Sequence, residues 1–468
     1  MYKKEIEGSI SVFLALTITL MLSFCMVLIE SARENTLLLK AKIIFDTGIQ
    51  CLLAEYHQRL WEEYDLFYVD CSYGTEEPSY DLVKSHLGEF VKKNIEMDTR
   101  GWLGLDYEGA KITDVLLATD FEGKDFYIQA IEVAEDSVAI PYIEQLLGWF
   151  EKVEATYDIG EKLHEDRKEM TDEIENVNGT EVAVKEAVWG EDREGNLILL
   201  EEAEYEVVNI ENPLEKILSG NILLRQIVSD VSDISGAAIE IDSLASHRKL
   251  AEGTVADFQD SNGLWNKALF CKYAMDHFAC YLEEVNAGNG IKYELEYLVG
   301  GRSSDNQNME VVVAELLAIR EIDNYLSLMQ DEVRMLEAHE LAVAISAALV
   351  PWMEPVIYQA LLLYWAYEDS VQDLQRLFQG EKIPIVKSLP IDVISEFLLG
   401  YEEYLLLLLL FQSPKNLAMR SIDIIELDLR RTQTLFRMDA CISHAFLEGC
   451  FVDIYNKKYS TSRELEYY

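Results

Sequence analysis

The sequence predicts a mainly helical α+β protein, with a small antiparallel β component and a long N-terminal transmembrane helix that continues into the body. Three observations carry this expectation. Residues Ile10 to Ile29 form an apolar run without a charge. Apolar residues elsewhere recur at three- and four-residue steps, as at Val312, Leu316, Ile319, Ile322, Leu326, Met329, Val333 and Leu336. Period-two alternation is confined to short stretches, the clearest being 291–299, where Tyr293, Leu295 and Tyr297 alternate with Glu294, Glu296 and Leu298.

As a helix rising about 1.5 Å per residue, the run from Ile10 to Ile29 spans roughly 30 Å, the thickness of a bilayer's hydrocarbon core. Lys3 and Lys4 precede it, as in a secretory signal. The run is longer than a signal core, however, and exits through Met-Val-Leu-Ile-Glu-Ser-Ala-Arg without a clean small-x-small site. Helical patterning continues past it: Leu37, Ala41, Phe45, Ile49, Leu52 and Tyr56 share one face with Leu38, Ile44, Gly48, Leu53 and Leu60. One helix from about Ser9 to Trp61 is expected, in lipid for its first half and packed for its second. The basic stub and the long downstream body favour an inside N-terminus and an extracellular body.

The break at Cys71–Pro78 ends the anchor, giving a first region of 1–70. A second region, 71–212, holds a short helix (80–95), a turn (101–106), a strand (111–119) and a helical stretch (125–176) divided by Pro141. The charged end of that stretch, 162–175, reads as solvated or as a coiled arm. Its last part, 176–212, is punctuated by Gly179, Gly190 and Gly195 and reads as an acidic loop or hairpin insert. A third region, 213–468, is mainly helical. Helices are expected through Val231, over 254–287 with Gly288-Asn289-Gly290 as a stop, and over 309–337 behind a Ser304 or Asp305 cap. The apolar stretch 341–367 contains Pro351 and Pro355, so it reads as two hinged core helices in preference to a second membrane span. Leu405–Phe411 reads as core. The tail from Phe446 suggests a hairpin, with 293–299 as a plausible sheet neighbour.

The chain's 85 acidic and 39 basic residues leave a net charge of −46. Such a surface repels nucleic acid, which is not expected as a partner. The seven cysteines include no Cys-x-x-Cys pair, and buried free thiols are expected.

The opening Lys3-Lys4-Glu5-Ile6-Glu7-Gly8-Ser9-Ile10-Ser11-Val12-Phe13 resembles the start of TadE/TadG-like minor pilins. The resemblance implies prepilin-type processing between Gly8 and Ser9. The glutamate such proteins carry at the fifth mature position is replaced by Phe13. Nearly the whole chain is similar to an uncharacterised Gram-positive group of singly anchored proteins encoded beside Tad-type pilus and secretion genes. The matching stretches are Gly8–Arg33, Leu53–Tyr56 with Tyr64–Phe67, Asn212–Glu215, Tyr293–Gly301 and Ile383–Lys387. This likeness implies location and genomic context and transfers no catalytic residue.

No motif demanded by a known chemistry is present. There is no Walker-type phosphate loop and no Gly-x-Ser-x-Gly elbow. His339-Glu340 starts like a zinc-protease motif, but position 343 is Val. Gly300-Gly301-Arg302-Ser303-Ser304 reads as a turn into a helix. The expectation is a non-enzymatic protein with no cofactor or metal, held in the cell membrane by Ile10–Ile29. Its expected partners are other pilus or secretion subunits, and its oligomeric state is left open. The alternatives are a surface ligand-binding module with the 179–209 insert as its tip, and a membrane-tethered hydrolase.

Overall fold

The computed structural model describes residues 3–75, 77–98, 104–137, 140–191, 197–217, 220–228, 234–256, 263–283, 290–346, 350–387 and 398–467. In chain order the elements begin with α1 (Lys3–Leu53), α2 (Gln58–Tyr64), β1 (Val69–Asp70), α3 (Tyr80–Asp98), β2 (Leu105–Leu117), α4 (Asp120–Ser137) and α5 (Ile140–Val177). The insert holds β3 (Glu181–Lys185), β4 (Val188–Glu191), β5 (Leu197–Glu201) and β6 (Glu204–Val207). Then come α6 (Gly220–Ile227), α7 (Leu264–His277), α8 (Glu294–Gly300), α9 (Asp305–Leu328), α10 (Glu332–Ser346) and α11 (Glu354–Phe378). The chain closes with β7 (Ile383–Pro384), β8 (Leu398–Leu399), α12 (Tyr401–Phe411), α13 (Pro414–Leu429), β9 (Cys441–Asp453) and β10 (Lys458–Glu466). The fold is mainly α with small antiparallel sheets, as the patterning predicts.

The chain divides into two compact units: 1–129 with 245–260 and 425–468, and 130–244 with 261–424. Neither expected boundary, after 70 or after 212, separates them. The reason is the sheet of the first unit, which takes strands from both ends of the chain.

In that unit β9 is the central strand. It pairs antiparallel with β10 on the register Lys458↔Val452 to Glu466↔His444, with β2 from Leu105↔Asp453 to Leu117↔Ile442, and with β1 at Ile442 and Cys441. The C-terminal hairpin is therefore present, but its neighbours are β1 and β2. The expected partner, 293–299, is no strand at all. The stripe of α1 faces the core: Leu37, Ala41, Phe45, Ile49 and Leu52 are buried with Leu87 and Val91 of α3 and Leu447 and Phe451 of β9. Close approach is built in at two glycines. A Cβ on Gly48 would lie 2.8 Å from Val91 Cγ2, and one on Gly449 would lie 2.5 Å from the Phe45 ring. That ring meets Phe451 edge-on at 6.2 Å.

Helix α1 stops at Leu53, short of Trp61, and Tyr56 lies in the break before α2, half-buried with its ring 5.5 Å from Phe67. His57 starts the new helix, accepting from the Leu60 N–H through its side chain, and Asp65 ends it at φ 56°. Two local caps thus outcompete continuation of the stripe.

A segment of the middle of the chain straps the first unit. Arg248 pairs with Glu426 at 2.6 Å and Asp439 at 2.8 Å. The Ala251 N–H donates to Asp439, the Gly253 N–H to Asp120 and the Thr254 N–H to the Val115 carbonyl.

The second unit is built on α9 and α11, with α5 and α10 against them and a core including Ile174, Leu214, Ile322, Ile357 and Leu361. Pro141 divides α4 from α5 as expected. The arm at 162–175 is not freely solvated, because Leu163, Met170 and Ile174 are buried along one stripe of α5. The expected helix over 254–287 shrinks to α7, and positions 288 and 289 of its proposed stop lie outside the described residues. The expected helix over 309–337 starts at its Ser304 cap but breaks after Leu328. Asp331 restarts it as α10 by accepting from the Val333 and Arg334 N–H groups.

The prolines at 351 and 355 do divide 341–367. A short 3₁₀ turn (Pro351–Met353) separates α10 from α11, whose Ile357, Ala360, Leu361, Leu362 and Leu363 are buried. The insert is a pair of nested two-stranded ladders, β3 with β6 and β4 with β5. Leu405 to Leu410 of α12 are all buried, as a core segment requires.

Substituting Gly449→Ala is expected to cost about 1–3 kcal/mol through overpacking against Phe45. Chemical denaturation of the full chain in detergent should find much of that loss recovered in Phe45→Leu/Gly449→Ala, since contacting sites couple.

Candidate membrane anchor, its collar and the buried polar clusters

Among the described residues one helix, the apolar part of α1, is long and apolar enough to cross a membrane. Its outermost side chains from Ile10 to Ile29 are exposed, apart from half-buried Thr17. Both threonine hydroxyls inside the run are satisfied within the helix: Thr17 Oγ1 donates to the Phe13 carbonyl at 3.0 Å and Thr19 Oγ1 to the Ala15 carbonyl at 2.8 Å. That is the condition for residence in lipid, where no water replaces a lost partner. Gly8 and Ser9 lie within α1.

Four residues past Ile29 the helix meets its collar. Arg33 is buried against the β9–β10 turn, its Nη2 donating to Asp453 at 2.8 Å while Glu30 accepts from its Nε and Nη2. Asp453 also accepts from the Tyr455 and Lys457 N–H groups, each at 2.9 Å, and from the Tyr459 hydroxyl. Burial alone would raise its carboxyl; those N–H groups and Arg33 hold it below the usual range. The Tyr455 ring lies 4.6 Å from the guanidinium carbon of Arg33.

From this collar β10 runs beside α1. Lys457 pairs with Glu34 at 2.5 Å, Arg463 with Asp46 at 2.6 Å, and the Tyr467 hydroxyl donates to the Leu53 carbonyl at 2.7 Å. From Glu34 to Asp46 a helix rises about 18 Å. From Lys457 to Arg463 a strand rises about 20 Å. The two elements therefore stay in step.

In the second unit a polar pocket of about 290 Å³ is lined by Asn324, Asp331, Arg334, Asp369, Asp373, Arg376 and Lys387 among others. Convergent carboxylates are what the hydrolase alternative requires, so their engagement matters. Asp369 pairs with Arg334 at 2.6 Å, and Asp331 caps α10. Asp373 takes Arg320 at 2.9 Å and Lys387 at 2.7 Å. Burial would raise Asp373, but Arg320 and Lys387 hold it low. Arg320 is fully buried and also donates to the Pro384 carbonyl and the Tyr404 hydroxyl. This is an ionic knot that fastens α9 and α11 to the segment around β7, with each of these carboxylates committed.

Residues 294–299 of the alternating stretch lie in α8 behind Tyr293 as its N-cap, and Glu296 is buried, not solvent-facing. Its Oε1 accepts from the Tyr281 N–H at 2.8 Å and the Tyr401 hydroxyl at 2.7 Å, while Gly301 at φ 60° caps the helix. Burial pushes this carboxyl up to about 7, against the opposing pull of those two donors. A metal-ligating set was not expected. Cys280, Glu283 and Glu402 do bring ligand atoms within 4.8 Å of one another, with both carboxylates exposed. The Cys280 thiol is pushed up to about 12 by burial and by Glu296, so it stays protonated at neutral pH. All seven cysteines are free, four of them buried.

By this geometry the molecule is a two-unit α+β protein with a single long apolar N-terminal helix. The chain belongs to the family of unknown function DUF5702, whose sequence model matches residues 203–389 and 396–451, just over half of the chain. No curated protein and no solved structure matches it.

Removing Arg320 strands buried carboxylates, so Arg320→Ala is expected to cost about 3–5 kcal/mol. Arg334→Ala, which loses a half-exposed pair, should cost under about 1 kcal/mol. Urea unfolding separates the two. Glu296 gives a pH test. Its folded value lies above its ordinary value near 4.5, so its contribution is full below that pH and lost as pH rises towards about 7. Glu296→Gln, a permanently neutral mimic, should therefore gain on the wild type by about 3 kcal/mol between pH 4.5 and pH 8. A pH-independent difference in unfolding free energy would refute the buried, proton-holding carboxyl.

Proposed function

We propose that this protein is a membrane-anchored, outward-facing envelope component of a Tad-like pilus or secretion machine, acting as a minor-pilin-like or assembly part. The observation that carries this reading is α1 itself. Its first half is apolar and uncovered, and its second half is locked along an antiparallel hairpin. That is the arrangement the resemblance to pilins implies. Because the stripe from Leu37 to Leu52 is used up on the protein's own body, contacts with other subunits fall to the uncovered segment Ile10–Ile29 and to the exposed Leu39 and Ile43 beyond it. Phe13 offers no carboxylate within the bilayer, where a charge is costly. This favours a part used once in the machine over one repeated along a filament.

The second reading, a surface ligand-binding module, draws on the insert. Trp189, Leu197 and Tyr205 on its ladders are 60%, 71% and 62% exposed, an unusual set of side chains for a solvated acidic hairpin.

N-terminal sequencing of protein recovered from its native membrane, together with affinity capture, tests the first reading. Expected are a mature start at Ser9, its loss in Gly8→Val, and co-purification of pilus or secretion subunits. A start beyond Ser31 would mean release from the membrane and would end the proposal. Capture of no such subunits would end its pilus part.

A further inference from the structure

We infer that the β9–β10 turn is a second membrane contact: a hairpin tip whose Ile454 and Tyr455 enter the headgroup layer of the same bilayer that α1 spans. The inference rests on reading Ile10–Ile29 as that span.

The position follows from the helix rise. Arg33 lies four residues beyond Ile29, hence about 6 Å beyond the hydrocarbon edge. The headgroup layer on each side of a bilayer is about 5–7 Å deep. The turn is pinned at that level from three directions: Asp453 on Arg33, the Tyr455 ring on the same guanidinium, and Lys457 on Glu34. It cannot drift along α1, because β10 is tied again at Asp46 and Leu53.

The chemistry at the tip suits that layer. Ile454 is 62% exposed and Tyr455 69% exposed, side by side at the turn of a hairpin. A tyrosine with an apolar body and a polar end is the side chain that favours a membrane interface. Lysines at 457 and 458 flank it, with stems long enough to keep their ammonium groups in water while the tip touches lipid. In a chain of net charge −46, close approach to a bilayer would ordinarily be opposed. Here the anions are locally paired: Glu30 and Asp453 with Arg33, Glu34 with Lys457, Glu108 with Lys458. The collar therefore meets the surface almost neutral. The occupant is a lipid interface in general, not a specific anionic headgroup.

Two fixed points, a helix through the bilayer and a tip on its surface, restrain the tilt of the first unit. One helix alone leaves that tilt free.

The test uses the full chain in phosphatidylcholine nanodiscs, with Cys25→Ser, Cys51→Ala and Cys450→Ala to silence the accessible thiols. An environment-sensitive fluorophore is placed singly at Leu20→Cys, Ile454→Cys or Glu464→Cys. The last lies some eight strand residues from the tip, about 27 Å away. Lipids carry a nitroxide either on the headgroup or deep in the acyl chain. Expected is that the probe at 454 loses most of its emission to the headgroup nitroxide. The probe at 20 should lose it to the deep nitroxide, and the probe at 464 to neither while remaining open to aqueous iodide. A probe at 454 that behaves like the one at 464, with 20 quenched from the acyl region, overturns the tip contact and leaves the span intact. No deep quenching at 20 overturns the span and the tip contact with it.

Discussion

The first unit depends on one constraint: α1 and β10 must run side by side in step. A helix with an exposed apolar half gains nothing from its own propensity to stay aligned with a body, so alignment has to come from tertiary ties. Arg33 with Asp453 fixes the lower end, Arg463 with Asp46 the middle and Tyr467 with Leu53 the upper end. Asp453 is the centre of this arrangement. It closes its own turn through two backbone N–H groups and uses its remaining oxygen to hold the helix. Between the ties, Phe45 fills the space that Gly449 leaves open.

The second unit handles the acidic composition differently. Many carboxylates are simply solvated, but a few are buried and matched. Asp373 and Asp323 share Arg320, and Glu296 is matched by a backbone N–H and a tyrosine hydroxyl. Such groups contribute less to net stability than to defining which packing is allowed, since an alternative packing would strand a charge. The same logic holds in the first unit at Arg248, Glu426 and Asp439, where a segment from mid-chain is clipped to β9's approach.

Much of this was legible along the chain. The apolar run, the stripe from Leu37 to Leu52, the Ser304 cap, the core role of Leu405–Leu410 and the division at Pro351 all follow from local periodicity and backbone chemistry. The failures are equally instructive. Residues 293–299 alternate like a strand, yet Glu296 within them is buried on the Tyr281 N–H and the distant Tyr401 hydroxyl, two donors the alternation does not show. The stripe continues to Tyr56 and Leu60, but the His57 and Asp65 caps redirect the chain. The ionic knot at Arg320 and the collar at Asp453 join residues 53 and 420 positions apart, a separation that no spacing rule reaches.

Sequence by itself determined that this protein has one long N-terminal helix with an uncharged run from Ile10 to Ile29, a mainly helical acidic body and a C-terminal hairpin, because those features depend on neighbours within a few residues. Only the tertiary structure decided what the hairpin packs against, which carboxylates are buried, and that chain ends more than 400 residues apart form one sheet-and-helix unit. These outcomes depend on desolvating charges in pairs, and the partner that makes each burial affordable is set by the fold and not by proximity in the chain.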